Sequence, residues 1–71
     1  MSEQVTTQVA GNIWKVLVNV GDHVKAGDTL FILELMKTEV PHLAGVDGRV
    51  AAVNVAEGDA VDSDFVAVLI E

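Results

Sequence analysis

The sequence has 71 residues and a formal net charge of -7, and it contains no cysteine. Disulfides, thiolate metal sites and thiol catalysis are therefore excluded, and a reducing compartment fits the composition. The acidic charge would repel phosphate backbones and anionic lipid, and no apolar run approaches the roughly 20 residues of a membrane helix. Residues 1–7 lack the basic start and apolar run of a signal peptide. We therefore expect a cytoplasmic domain that binds neither nucleic acid nor a membrane.

Short apolar runs alternate with turn residues along the chain. Gly, Asp and Asn mark reversals at positions 11–12, 21–22, 27–28, 45–48, 58–59 and 62–64. Valine accounts for 14 residues, and apolar residues never recur with helical spacing over a useful length. The runs between the reversals therefore predict about eight short β-strands. Since no linker or low-complexity segment divides the sequence, we expect one domain over residues 1–71.

An internal repeat with a period of 37 residues relates the two parts of the chain. Residues 11–34 overlay residues 48–71 without a gap, and seven of the 24 pairs are identical. A gapless period of this length is typical of two similar structural units. The identical pairs are Gly11/Gly48, Val16/Val53, Val18/Val55, Gly21/Gly58, Asp22/Asp59, Val24/Val61 and Glu34/Glu71.

Both halves interrupt strand alternation at the same place. The apolar residues Ile13 and Val16 are three positions apart, as are Val50 and Val53, whereas the next apolar residues are two apart. This shared slip predicts a β-bulge in each half. We expect each half to supply one four-stranded antiparallel layer, because neither could bury its apolar face alone. The predicted fold is all-β, a flattened eight-stranded barrel or sandwich with pseudo-twofold symmetry.

The connection between the halves is an unusual turn. Under the repeat, residues 35–38 correspond to positions just outside the two chain ends, so we expect this connection and the chain ends at opposite poles. Of the predicted reversals, only this one has no Gly, Pro, Asn or Asp at its centre, where Met36 and Lys37 stand. Tight hairpins favour Asn and Gly there, so the exception indicates a functional turn. Singly, Met36 is compatible with core packing and Lys37 with an ordinary surface lysine.

The turn resembles the attachment motif of biotinyl domains in the biotin carboxyl carrier family, commonly Glu-Ala-Met-Lys-Met. The likeness extends over nearly the whole chain and is greatest to the short, single-domain biotin/lipoyl attachment proteins. Some relatives carry an extra protruding thumb loop, for which the gapless repeat leaves no room. The matching residues are Glu34, Leu35, Met36, Lys37 and Thr38 at the turn, together with residues 10–14, 21–28, Gly48 and residues 58–59.

The resemblance implies a carrier without catalytic residues of its own. A biotin protein ligase would attach biotin to Lys37 and recognise Glu34, Leu35, Met36 and Thr38 around it. The biotinyl arm would then shuttle a carboxyl group between biotin carboxylase and carboxyltransferase subunits or domains, with an acyl-CoA carboxylase as the expected parent enzyme. Residues 1–3 resemble a natural start and Glu71 closes the second repeat, so we expect a free-standing protein.

Two departures from the motif keep a second carrier function open. Leu35 replaces the usual small residue and Thr38 replaces the second Met. The alternative is a lipoyl carrier of a 2-oxo acid dehydrogenase or glycine cleavage type system. Lipoyl domains generally place an acid before the lysine, so Met36 favours biotin over lipoate. A small β-barrel binding module is the third hypothesis, disfavoured by the acidic charge and by only three aromatic residues.

Other polar residues offer little chemistry. His23 and His42 are far apart in sequence, and each is expected to be a polar surface residue. The aspartates at positions 59, 62 and 64 match no recognised calcium loop, so no metal site is expected.

Trp14 aligns with Ala51 and is not required by the repeat. It either covers an open edge of the barrel or provides a contact surface, and edge cover is the simpler interpretation.

Overall fold

The computed structural model of the protein describes residues 2–71, which contain eight β-strands and no helix. The strands form two four-stranded antiparallel sheets, with the orders β1-β8-β6-β3 and β5-β4-β2-β7. The predicted all-β fold of two facing four-stranded sheets is therefore confirmed. The strand bounds are β1 (Glu3–Thr6), β2 (Gly11–Val16), β3 (His23–Val24), β4 (Thr29–Leu35), β5 (Thr38–Leu43), β6 (Gly48–Val53), β7 (Ala60–Val61) and β8 (Val66–Ile70).

The 37-residue repeat is a structural repeat. Shifting by 37 positions converts the strand order of one sheet into that of the other, which is the predicted pseudo-twofold relation. The expectation that each half supplies a whole layer was wrong. Strands β1 and β3 of the first half pair with β8 and β6 of the second, and β5 and β7 of the second half pair with β4 and β2 of the first. Each sheet therefore takes two strands from each half. Because of this exchange, neither sheet is complete without the other half of the chain.

Both predicted β-bulges are present. The pairing of β2 with β4 shifts between Ile13 and Lys15, and the pairing of β6 with β8 shifts between Val50 and Ala52. A bulge puts one extra residue on its strand and changes the side that later side chains face. On β2 the extra residue is Trp14, so Trp14 and Lys15 both lie exposed on the outer face.

The identical aspartates of the repeat close equivalent turns. Asp22 Oδ2 accepts a hydrogen bond from the N–H of Asn19 at 2.8 Å, and Asp59 Oδ2 accepts one from the N–H of Ala56 at 2.9 Å. Aspartate favours such turns because its carboxylate satisfies a backbone donor three residues earlier. These two identities are therefore structural.

The core fills the space between the sheets. Aliphatic side chains from both halves supply most of it, together with one phenylalanine, and each of the largest is less than 2% exposed. At about 25 cal/mol per Å² of apolar surface, this burial is the main stabilising term of so small a fold. The largest fully buried apolar side chains are Phe31, Ile13, Leu30, Leu33, Ile70, Val50 and Val68.

His42 is a core residue, and the expectation that it lies on the surface was wrong. Its ring is 5% exposed and stacks on Phe31, with ring centroids 4.5 Å apart. The Nδ1 atom lies 3.1 Å from the carbonyl oxygen of Val40, and the N–H of Gln8 donates to Nε2 at 3.3 Å. Both ring nitrogens are thus satisfied by the backbone when Nδ1 carries the proton. His23, by contrast, is exposed as predicted.

The turn between β4 and β5 lies at one end of the molecule, and the start of β1 and the end of β8 lie at the other. Strand β5 begins at this turn and runs to Leu43, and Gly45 just beyond it donates its N–H to Glu3 Oε1 at 2.8 Å. Glu3 pairs with Ile70 at the end of β8. The predicted arrangement at opposite poles therefore holds along a molecule with extents of 33 × 18 × 17 Å.

Candidate functional site

The turn between β4 and β5 contains only two residues. The strands pair as far as Leu35 opposite Thr38, which leaves Met36 and Lys37 to reverse the chain. Both have positive φ, 52° at Met36 and 64° at Lys37. Positive φ at both central positions defines a type I′ turn, whose twist matches that of the flanking strands. The hairpin is therefore as short as a β-hairpin can readily be, and the position of Lys37 is fixed by paired strands on both sides.

This turn contains residues that do not favour it. A residue with a Cβ atom costs roughly 1 kcal/mol or more in the left-handed region. Asp64 is the only other non-glycine residue with positive φ in the described part of the chain. The two strained residues at the turn thus indicate that their side chains are kept for a reason other than folding.

The side chains at the turn project into solvent. Met36 is 90% exposed, so it is not a core residue, and Lys37 and Thr38 are exposed as well. Leu35 is 38% exposed, and Glu34 is half-buried. The structure therefore brings all five sequence-predicted residues together at one pole, with the amine of Lys37 accessible from outside.

A pair of carboxylates lies just behind the turn. Glu34 and Glu39 are direct cross-strand partners on β4 and β5, one residue pair beyond Leu35 and Thr38. Like charges directly opposite each other in a sheet are destabilising. Sequence analysis selected Glu34 but missed Glu39, although the two-residue turn length would have revealed the pair.

Comparison with known proteins identifies the family. The family model Biotin_lipoyl, described as biotin-requiring enzyme, matches residues 1–70. A biotinylated protein TB7.3 homolog of Mycobacterium leprae is 41% identical over 70 residues, which cover 97% of this chain and 99% of that protein. The chain belongs to the biotin/lipoyl attachment family.

Two solved carboxylases contain a domain similar to this biotin/lipoyl attachment chain. The urea carboxylase of Kluyveromyces lactis matches all of the chain with a TM-score of 0.92 and 35% identity. A single-chain, multi-domain long-chain acyl-CoA carboxylase matches 96% of it with a TM-score of 0.89 and 26% identity. The chain spans only 6% and 7% of these two proteins.

The family description names biotin, and the Mycobacterium leprae relative is a biotinylated protein homolog. The turn fits such a group, because biotin is a carboxylic acid and an exposed primary amine is the side-chain nucleophile that joins a carboxyl group as a stable amide. Lys37 supplies such an amine at the pole, where an attached chain would extend into solvent without meeting the sheets. Lys15 instead lies on a sheet face, 5.3 Å from the ring centroid of Trp14.

The other candidate site residues from the sequence form no second functional site in this biotin carrier domain. Both nitrogens of His42 are engaged by the backbone, and His23 lies on β3 in the other sheet. The carboxylate of Asp59 closes its own turn. Within residues 2–71 no group of three His, Cys, Asp or Glu side chains is placed to hold a metal ion. The same residues include no apolar helix of membrane-spanning length.

Proposed function

We propose that this protein is a biotin carboxyl carrier and that its biotin is attached to Lys37 by a biotin protein ligase. One observation carries the proposal: Lys37 occupies the second position of a two-residue turn at the pole of the barrel, directly after a methionine that is 90% exposed. Exposed methionine at a strained position has no role in packing, and it gives a ligase an apolar contact that distinguishes this lysine from the others.

The attachment reaction requires the ligase to supply the base. An ordinary lysine amine is almost entirely protonated at pH 7, and a protonated amine is no nucleophile. After the ligase removes the proton, Lys37 Nζ attacks the carbonyl carbon of biotinyl adenylate, the bond from that carbon to the phosphate oxygen breaks, and AMP leaves. The amide that forms no longer carries a charge. Modification therefore changes the formal net charge from -7 to -8, which is -7 minus the one lost positive charge.

The chain acts as a carrier and performs no catalysis itself in this proposal. When bound, biotin accepts a carboxyl group at a biotin carboxylase and delivers it at a carboxyltransferase. The protein's contribution is mechanical, since Lys37 is held on a rigid hairpin and the arm beyond it is flexible. Tethering keeps the prosthetic group at a high effective concentration near two active sites in turn. The domain would work in the cytoplasm beside those two enzymes.

The parent enzyme is proposed to be an acyl-CoA carboxylase. The similarity to a domain of a long-chain acyl-CoA carboxylase supports this assignment. Urea carboxylase is the competing parent, supported by the higher identity of 35%. The acceptor is chosen by a carboxyltransferase outside this chain, so assays with purified partner subunits and either acyl-CoA or urea would distinguish the two.

A lipoyl carrier on the same scaffold is the second candidate. The hairpin geometry suits either group, because both are carboxylic acids attached to lysine through an amide. Met36 directly before Lys37 favours biotin, since lipoyl domains generally carry an acid there. The mass of the modified protein distinguishes the two groups directly.

Intact mass spectrometry tests the proposal. The wild-type chain, produced with a biotin protein ligase and biotin, is expected to gain one biotinyl group and to bind avidin. Lys37→Arg is expected to gain none, whereas the control variants Lys15→Arg and Lys25→Arg are expected to be modified like the wild type. A modified Lys37→Arg protein, or an unmodified wild type in the presence of active ligase, would exclude this function, and a lipoyl mass would favour the alternative.

A further inference from the structure

The pseudo-twofold symmetry provides an internal comparison between the outer faces of the two sheets. On the sheet that contains the lysine hairpin, Lys15 pairs with Ile32, and Ile32 with Pro41. Together with the bulge residue Trp14, these three form a row across the sheet, here called the Trp14 row. The equivalent row on the other sheet consists of Ala51, Ala52, Leu69 and Gln4.

The fold does not require an indole in the Trp14 row. Ala51 takes the equivalent place in the second half, with the same bulge and the same strand pairing. The side chain of Trp14 is 43% exposed, and Pro41 is exposed as well. Large aromatic side chains left half in solvent are typical of protein contact surfaces. The Trp14 row thus has an exposed aromatic side chain, with the Lys15 amine over its ring, where the symmetry-equivalent row has alanine.

The Trp14 row is close to the attachment site. Ile32 precedes Lys37 by five positions, which at about 3.4 Å per strand residue corresponds to at most roughly 17 Å. A standard protein interface covers about 800 Å² on each partner, a patch roughly 16 Å in radius. An enzyme seated on the hairpin can therefore also cover the Trp14 row.

The residues between the Trp14 row and the lysine hairpin are acidic. Asn12 pairs with Glu34, and Glu34 with Glu39, so two carboxylates separate the Trp14 row from the hairpin. Under the 37-residue shift, Glu34 corresponds to Glu71 and Glu39 corresponds to Ser2. The fold therefore does not require two acids at these paired positions. Opposed like charges destabilise the free domain, and a cationic partner removes that cost.

We propose that the outer face of the lysine-bearing sheet is the docking surface for the biotin protein ligase, which receives Trp14 in an apolar pocket and places Lys or Arg side chains opposite Glu34 and Glu39. This inference rests on the proposed function. Before modification the reacting atom is Lys37 Nζ itself, so the ligase active site must reach the barrel surface around the hairpin. After modification the extended arm lets later enzymes act at a greater distance. The ligase is therefore the partner with the strongest need of this surface.

Steady-state biotinylation kinetics with a purified biotin protein ligase test the docking surface. Trp14→Ala installs the residue that the second half already has, so the fold is expected to persist, which thermal unfolding checks. We expect KM for the carrier to rise about tenfold with kcat within about twofold, because Trp14 contributes binding and does not touch the reacting amine. Pro41→Gln, which copies Gln4, is expected to raise KM less. Leu69→Ala on the opposite face is the control and is expected to leave both constants unchanged.

The outcomes separate this inference from the proposed function. If Trp14→Ala and Pro41→Gln are modified with wild-type constants while Lys37→Arg is not modified, the docking surface is refuted and the carrier function stands. An equal rise in KM for Leu69→Ala refutes it too, since the effect would not be specific to one face. If the wild-type chain is not biotinylated at all, both proposals fail.

Discussion

Gly27 and Asp64 occupy equivalent positions in the two halves, and both have positive φ, 96° and 62°. Glycine adopts this region freely, whereas aspartate adopts it with strain. We therefore expect Asp64→Gly to raise the free energy of unfolding by up to about 1 kcal/mol. Denaturant unfolding monitored by circular dichroism measures the change. Asp62→Gly is the matched control, since Asp62 lacks positive φ and is expected to lose stability, and a stabilised control would contradict this explanation.

The turn at Met36 and Lys37 is expected to show a conflict between stability and modification. Met36→Asn should raise the free energy of unfolding by roughly 0.5 kcal/mol, because asparagine tolerates positive φ at a type I′ turn. The same variant should be biotinylated more slowly, because the exposed apolar contact is lost. Thermal unfolding and the initial rate of biotinylation measure the two effects. A more stable variant that is modified at the wild-type rate would show that Met36 has no part in recognition.

His42 is expected to be a stabilising core residue. His42→Ala removes the ring that stacks on Phe31 and leaves the N–H of Gln8 without its acceptor. We expect a loss of about 2–4 kcal/mol, from the cavity and the unsatisfied donor together. Chemical denaturation checks the value. His23→Ala is the control, since His23 is exposed and is expected to change stability by less than about 0.5 kcal/mol.

The features that could be predicted from sequence are those with a local or periodic cause. The 37-residue repeat predicted two similar sheets, and the three-residue spacing from Ile13 to Val16, repeated in the second half, predicted the two bulges. Met36 and Lys37 were recognisable because a turn without its usual residues is a local anomaly. These signals need only neighbouring positions and a comparison of the two halves.

Features that depend on distant pairing were not predicted. The burial of His42 follows from stacking on Phe31 and from a bond to Gln8, which is 34 positions away. Thr7 is buried too, where its Oγ1 donates to the carbonyl oxygen of Asp62 at 2.5 Å and accepts from the N–H of Phe65 at 3.0 Å. The exchange of β3 and β7 likewise has no local signal, because two-residue strands are too short to show a pattern.

Thr38 is the clearest departure from the family motif, and its effect can be measured by restoring methionine. Thr38 is exposed and pairs across the hairpin with Leu35, so Thr38→Met changes no buried contact. We expect biotinylation at an equal or higher rate, since the second methionine extends the apolar surface beside Lys37. The change in the free energy of unfolding should stay within about 0.5 kcal/mol, as for other exposed substitutions. Ala26→Met, at an exposed residue in the turn before β4, controls for added hydrophobicity alone. A clear fall in rate for Thr38→Met would show that the ligase for this protein requires the smaller polar residue, and that the motif's second methionine is not what makes this hairpin a substrate.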